Sequence, residues 1–143
     1  MTLLQTDLLE SERGSPLFGS PLVLVDPSEQ QLSPCSLSGA VRLAVDRAGV
    51  LPALNPALFD ALITVQPEAP APWVTVPADR LDARIAVAVR TAQQAPIALA
   101  MLARLLRLQD GLDFASALDA ESLAYSCLLG GGEFARWRGD GAL

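Results

Sequence analysis

The stretch Ala61-Leu62-Ile63-Thr64-Val65-Gln66-Pro67-Glu68-Ala69-Pro70-Ala71-Pro72-Trp73-Val74-Thr75-Val76-Pro77-Ala78-Asp79 decides the fold, because the pattern of apolar residues changes within it. Its first five residues are an apolar, β-branched run of strand length. Gln66 to Pro72 is a proline-rich connector and the clearest internal boundary of the chain. Trp73 to Val76 is a second brief extended run, stopped by Pro77. Beyond Asp79 the apolar residues recur at helical spacing.

Upstream, Leu22-Val23-Leu24-Val25 is closed by Asp26-Pro27 and reads as a buried strand. Ser36 or Ser38 is placed to cap a helix running to Arg47, with Val41, Ala44, Val45 and Ala48 at helical spacing and Gly49 as its stop. Val50 to Leu54 reads as a short strand between prolines. Asn55 and Pro56 suit the start of a short helix. Downstream, Asp79 is placed to cap a helix to Gln94, and Pro96 starts another to Leu108 carrying Ile97, Met101, Leu105 and Leu108 as a stripe. Asp110-Gly111 is a turn. Asp113 is placed to cap a helix from Phe114 to Leu129, and a last helical turn covers Glu133 to Arg138 after Gly130-Gly131-Gly132.

The predicted fold is α/β, with short β-strands at about 22–26, 50–54, 61–65 and 73–76 and a mainly helical C-terminal half at about 79–138. An irregular arm, 1–19, precedes a single domain, 20–143. Within it, a small α/β part (20–66) and a helical part (73–143) flank the connector at 67–72.

Composition excludes much chemistry. The 143 residues contain no histidine and no lysine, and ten arginines face sixteen carboxylates for a net charge of −6. There is no Ser-His-Asp or Cys-His system, no Schiff-base lysine, no P-loop lysine and no histidine-ligated zinc. No metal site and no cofactor are expected. An acidic chain with scattered arginines offers no basic face to nucleic acid. The longest apolar run, Ala95 to Leu106, is interrupted by Arg104 and is shorter than the ~20 residues of a membrane span. Asp7, Glu10 and Glu12 sit where a signal peptide carries positive charge. The expectation is a cytoplasmic protein whose Cys35 and Cys127 are reduced and fill apolar space.

Carboxylate acid–base chemistry, backbone oxyanion holes and simple binding remain. Asp119 and Glu121, two residues apart, point to different faces of a helix. Glu121 and Tyr125, four apart, lie side by side, as a surface contact or as a pair able to polarise a carbonyl. Gly130 to Gly132 read as a helix stop or as an anion-binding nest, with Glu133 as a first-turn charge. Arg104 and Arg107 read as a solvated helix face or as a phosphate clamp. Trp73 and Trp137 suit core or interface anchoring.

Pro96-Ile97-Ala98-Leu99-Ala100, Ala117-Leu118-Asp119-Ala120-Glu121 and Glu133-Phe134 together resemble the C-terminal helical segment of the crotonase, or enoyl-CoA hydratase/isomerase, superfamily. The resemblance runs from Pro96 to Arg138, about a third of the chain. It implies a reduced crotonase-like fold and a hydratase- or isomerase-type reaction on an acyl-CoA thioester. On that reading Glu121 and Glu133 are the candidate catalytic carboxylates, Gly130, Gly131 and Gly132 the oxyanion or anion site, and Arg104 and Arg107 the CoA-phosphate contacts. In that family the segment builds the subunit interface, so the resemblance also implies a homo-oligomer or a larger crotonase as partner. Neither Ala-Gly-Gly nor Gly-Gly-Gly-x-Glu-Leu, the family's oxyanion and catalytic contexts, precedes the connector. The alternative is therefore a non-catalytic subunit that kept the interface and lost the oxyanion hole.

Overall fold

The computed structural model describes residues 15–16, 21–28 and 40–139. The chain is α/β. Four short strands, β1 (Leu22–Val25), β2 (Val41–Asp46), β3 (Ala61–Thr64) and β4 (Trp73–Thr75), form one sheet in that order. Every neighbouring pair is parallel, with Leu24 opposite Leu43, Ala44 opposite Leu62, and Ile63 opposite Val74. Four helices follow: α1 (Ala78–Gln94), α2 (Pro96–Gln109), α3 (Phe114–Leu129) and α4 (Gly132–Gly139).

The core lies between one face of the sheet and α1. Leu43 and Val45 of β2, Val76, and Leu81 and Ile85 of α1 are buried together, with Leu22, Ile63, Val65, Ala88 and Val89 packed around them. Leu81, Ile85, Ala88 and Val89 are spaced so that they share one face of α1, as expected from the sequence.

Two upstream expectations are corrected. Val41–Asp46 is a strand, where helical spacing suggested a helix from Ser36 or Ser38 to Arg47. Val41 and Val45, four residues apart, fit either period, while Ala44 fits the helical one and Leu43 the strand one. Pairing on both edges and burial on both faces decide for the strand, because a fully enclosed strand reads as a continuous apolar run. Ser36 and Ser38 lie outside the described residues. Gly49 stops no helix; at φ 68° it makes the turn that leaves β2. Val50 to Leu54 is irregular, since the N–H groups of Val50 and Leu51 go to the Asp46 carboxylate and not to a ladder.

Elsewhere the elements lie close to their expected positions. Asn55 accepts the Ala57 N–H at 3.1 Å and starts a single 3₁₀ turn, Pro56–Leu58. The proline-rich connector joins two paired strands of one sheet, and Thr75 fastens it by donating its hydroxyl to the Gln66 carbonyl. Asp79 does not cap α1. It lies in the first turn behind Pro77, where a carboxylate favours the helix dipole. Asp113 does cap α3, accepting the Ser116 N–H at 2.9 Å.

α1 and α2 bend by 103° where Pro96 starts the second helix. Among the described residues no single helix is long and apolar enough to cross a membrane. α2 buries Ala100 and Ala103, while Ile97 and Leu108 of the expected stripe are exposed. On α3 the half-buried positions include Ala117, Ala120, Ala124 and Leu128, which form the face packed on α2. Phe114, Leu118 and Tyr125, which recur at helical spacing, are exposed. Cys127 is a free, exposed thiol and fills no core space; Cys35 lies outside the described residues. The expected 1–19 arm lies outside them too, apart from Ser15 and Pro16.

Candidate functional site

Glu133 stands in the first turn of α4, yet its carboxylate acts on another helix. One oxygen accepts the Ile97 N–H at 2.8 Å and the other accepts the Ala98 N–H at 2.9 Å. Pro96 has no N–H to satisfy, and the Leu99 N–H donates to the Ala95 carbonyl at 3.0 Å. The open donors that begin any helix are thereby all satisfied at α2. No side chain adjacent in sequence does this, since the residue before Pro96 is alanine. Glu133 is thus turned to a helix end and not to a cavity.

The glycines after α3 do not form the anion nest. The Gly130 N–H donates to the Ser126 carbonyl and the Gly131 N–H to the Leu128 carbonyl, so both close the end of α3. A nest needs alternating backbone hand, and among the described residues only Gly49 is a glycine at positive φ. The helix-stop reading is the one the geometry realises. Glu121 is exposed on α3 and makes no hydrogen bond or ion pair among the described residues, with Tyr125 or with any other group. The side-by-side spacing is present, but the two side chains do not engage.

Arg107 is held firmly. Its Nε donates to Asp60 Oδ1 at 2.7 Å, and its Nη2 donates to Asp60 Oδ2 at 2.5 Å and to the Ala40 carbonyl at 2.9 Å. Asp60 Oδ2 also accepts the Arg42 N–H at 2.8 Å, and the Asp60 N–H returns to the Arg42 carbonyl. One carboxylate therefore ties the start of β2 to α2 through a bidentate fork. A phosphate at Arg107 would have to displace Asp60. Arg104 is exposed and makes no ion pair among the described residues.

This ion pair ends an open groove of about 710 Å³ between α2 and the start of β2 and β3. Its walls are Leu99, Leu102 and Leu106 on one side and Leu58 and Phe59 on the other. The size falls in the range of small-molecule sites, and the lining is apolar with few polar groups. Neither Glu121 nor Glu133, nor Arg104, nor any of Gly130 to Gly132 lines it. The structure does not bring the candidate residues into one cavity.

Two groups escape a reading of the sequence. Asp46 is 4% exposed and Thr64 fully buried. Asp46 Oδ1 accepts the N–H groups of Gly49 and Val50, and Oδ2 accepts the Leu51 N–H and the Thr64 hydroxyl at 2.8 Å. Burial by itself would raise the Asp46 pKa. The donors from Leu51, Thr64, Val50 and Gly49 outweigh it and hold the carboxyl below its ordinary value. The pair sits at the C-terminal ends of parallel strands, where α/β proteins place ligands. Here every acceptor is taken by the loop itself, which fixes Leu51 at φ 49°. Asp46 followed three residues later by Gly49 is a turn signature that marks this loop. Asp60 has no such signal, because Arg107 is 47 residues away.

Among the described residues no three His, Cys, Asp or Glu side chains are placed to share a metal ion. Comparison with protein-family models, with curated proteins and with solved structures finds no match to this chain in any of the three.

Proposed function

We propose that this chain is a non-catalytic association subunit whose helical half docks on a second copy of itself. The observation that carries the reading is α3. It runs for sixteen residues and buries none, and it turns Phe114, Leu118, Leu123, Tyr125 and Leu129 to solvent. Alanines make up most of its half-buried face, so among the described residues these large side chains pack against little. Exposed apolar residues gathered on one helix mark a protein interface. The two candidate catalytic carboxylates favour the same reading: one caps α2 and the other engages nothing. The crotonase resemblance agrees, since that family uses this segment between subunits. Pro96-Ile97-Ala98 and Glu133 meet here in one helix cap. Sedimentation analysis of the purified chain tests the proposal. A concentration-dependent dimer or higher oligomer supports it, and a monomer at every concentration rejects it. Capture of a full-length crotonase by a persistent monomer would reassign the partner.

A second reading has its own observation. The groove beside α2 is apolar along Leu99, Leu102 and Leu106, a lining that suits an acyl chain, while an anionic head at Arg107 would have to displace Asp60. On this reading the chain binds an acyl-CoA thioester; Glu121 and Glu133, the carboxylates the resemblance singles out for hydratase- or isomerase-type turnover, lie outside the groove. Calorimetry with short- and medium-chain enoyl-CoA tests binding. A glutamate-to-glutamine scan tests turnover, and unchanged turnover in both variants rejects the catalytic form.

A further inference from the structure

We propose that the outer edge of β4, with the groove beside it under α1, takes an extended acidic peptide as a fifth parallel strand. In a parallel ladder both backbone groups of a residue point to one neighbour, and successive residues alternate between neighbours. The Val76 N–H donates to the Thr64 carbonyl at 2.9 Å, so Val76 and Val74 face β3. Trp73 and Thr75 therefore face away from the sheet. The Trp73 N–H turns back to the Pro70 carbonyl at 3.0 Å. The Thr75 hydroxyl donates to the Gln66 carbonyl and accepts the Ala69 N–H, so its side chain is engaged by the connector. Its backbone N–H and carbonyl, and the Trp73 carbonyl, make no hydrogen bond among the described residues. A strand laid along the edge would pair these three groups. One peptide residue gives its N–H to the Trp73 carbonyl and accepts the Thr75 N–H. The residue two further on gives its N–H to the Thr75 carbonyl.

The pleat fixes where the side chains of such a strand go. The peptide residue level with Val74 points to the α1 face, and so does the one level with Val76. On that face lies an open groove of about 460 Å³ between β4 and α1. Val74, Val87 and Ala88 line it with apolar surface, and Val74 is 57% exposed. Its charged lining is Arg80 and Arg84, with no carboxylate. Both arginines are exposed and make no ion pair among the described residues, in a chain of net charge −6. Two cations four residues apart on a helix repel each other, and a carboxylate between them offsets the repulsion. Arg80 lies in the first turn of α1, which starts two residues after Val76. The peptide that this edge selects is thus apolar level with Val74 and acidic two residues later.

Pro72 and Pro77 bracket β4 and have no N–H to offer, so pairing is confined to Trp73–Thr75 and its register is set. Backbone pairing supplies affinity in such a contact, and the alternate side chains supply selectivity. The edge is separate from the exposed face of α3, so this site stands whether or not the chain associates with itself.

The test uses the whole purified chain and a labelled peptide, Thr-Val-Thr-Glu-Thr, capped at both ends and followed by fluorescence anisotropy. Saturable binding with a Kd below about 1 mM is expected. Arg80→Glu and Arg84→Glu alter exposed positions, and circular dichroism would verify that the fold is kept. Each is expected to raise the Kd by about 10-fold or more. The same peptide methylated on the glutamate amide nitrogen loses the donor to Thr75, and should bind at least about 10-fold more weakly to unaltered protein. The reversed peptide, Thr-Glu-Thr-Val-Thr, should bind more weakly too. No saturable binding up to about 1 mM would overturn the proposal. Equal binding of the methylated peptide would overturn strand addition, and equal binding by both arginine variants would overturn the groove as the acidic subsite. Equal or tighter binding of the reversed peptide would overturn the parallel register. Peptide binding that dissociates a dimer in sedimentation would assign the edge to a second copy and overturn the peptide as its occupant.

Discussion

The carboxylate of Glu133 accepts the backbone N–H of Ile97 at 2.8 Å across 36 residues of sequence, and so the last helix closes the first turn of α2. The helix it completes begins at a proline, follows an alanine and carries no cap of its own. The contact ties α4 to α2 in a helical half where α2 buries only Ala100 and Ala103 and α3 buries no residue.

Glu133→Ala should therefore lower stability by about 1–2 kcal/mol, the usual loss of a helix N-cap. Glu133→Gln keeps an acceptor oxygen and should lose less. Urea titration followed by circular dichroism would rank the two. Equal loss in both variants would argue that the charge, and not the acceptor geometry, matters.

Asp46 should be the most sensitive carboxylate in the chain. Asp46→Asn replaces an acceptor oxygen with a donor that faces buried donors, and should cost about 3 kcal/mol. Because the folded pKa lies below the unfolded one, the unfolded chain takes up the proton first. The stabilisation is complete above the ordinary Asp value of about 3.9 and is lost as pH falls through the folded value. The wild type should thus lose stability on acidification below about pH 4, and Asp46→Asn should show a flatter profile there. Urea titrations of both proteins across that pH range would check it.

The glycines should separate sharply. Gly49 sits at φ 68°, and an added Cβ would lie 3.2 Å from the Val65 side chain and 3.3 Å from the Gln66 nitrogen. Gly49→Ala should cost about 1–3 kcal/mol. At Gly132 an added Cβ meets nothing within 4 Å, and Gly132→Ala should be neutral or stabilising by up to about 1 kcal/mol. Thermal melts of both variants would check the contrast.

Asp60 and Arg107 should be coupled, but modestly, since the arginine side chain is 42% exposed. A double-mutant cycle with Asp60→Asn and Arg107→Gln should return about 1 kcal/mol. The aspartate variant should cost more than the arginine variant, because Asp60 also holds the Arg42 N–H. Equal single losses would place the effect in the ion pair alone.

How legible each feature is depends on how local its signal is. Pro96, Asp113 and the proline turn at Asn55 act on their own neighbours, and the elements they begin lie where their sequence places them. The strand at Val41–Asp46 is ambiguous in sequence because Val41 and Val45, four apart, satisfy both periods, with Ala44 completing the helical pattern and Leu43 the strand one. The candidate site scatters because its contacts are not local. In sequence Glu133 has the form of a free first-turn charge and Arg107 that of an exposed cation. Their actual partners, Ile97 and Asp60, are 36 and 47 residues distant.

Composition and periodicity were enough for the class of fold, the connector, the helical C-terminal half and the absence of histidine and lysine chemistry. All of these are properties of the whole count or of short windows, so no contact between distant residues is needed to read them. Long-range packing was needed to make β2 the strand enclosed between β1 and β3, to set Asp46 against Thr64 and Asp60 against Arg107, and to bring Glu133 to the start of α2. It also settled which side of α3 meets α2. That helix carries apolar residues all round, and only packing its alanines inward leaves Phe114, Leu118, Tyr125 and Leu129 facing solvent.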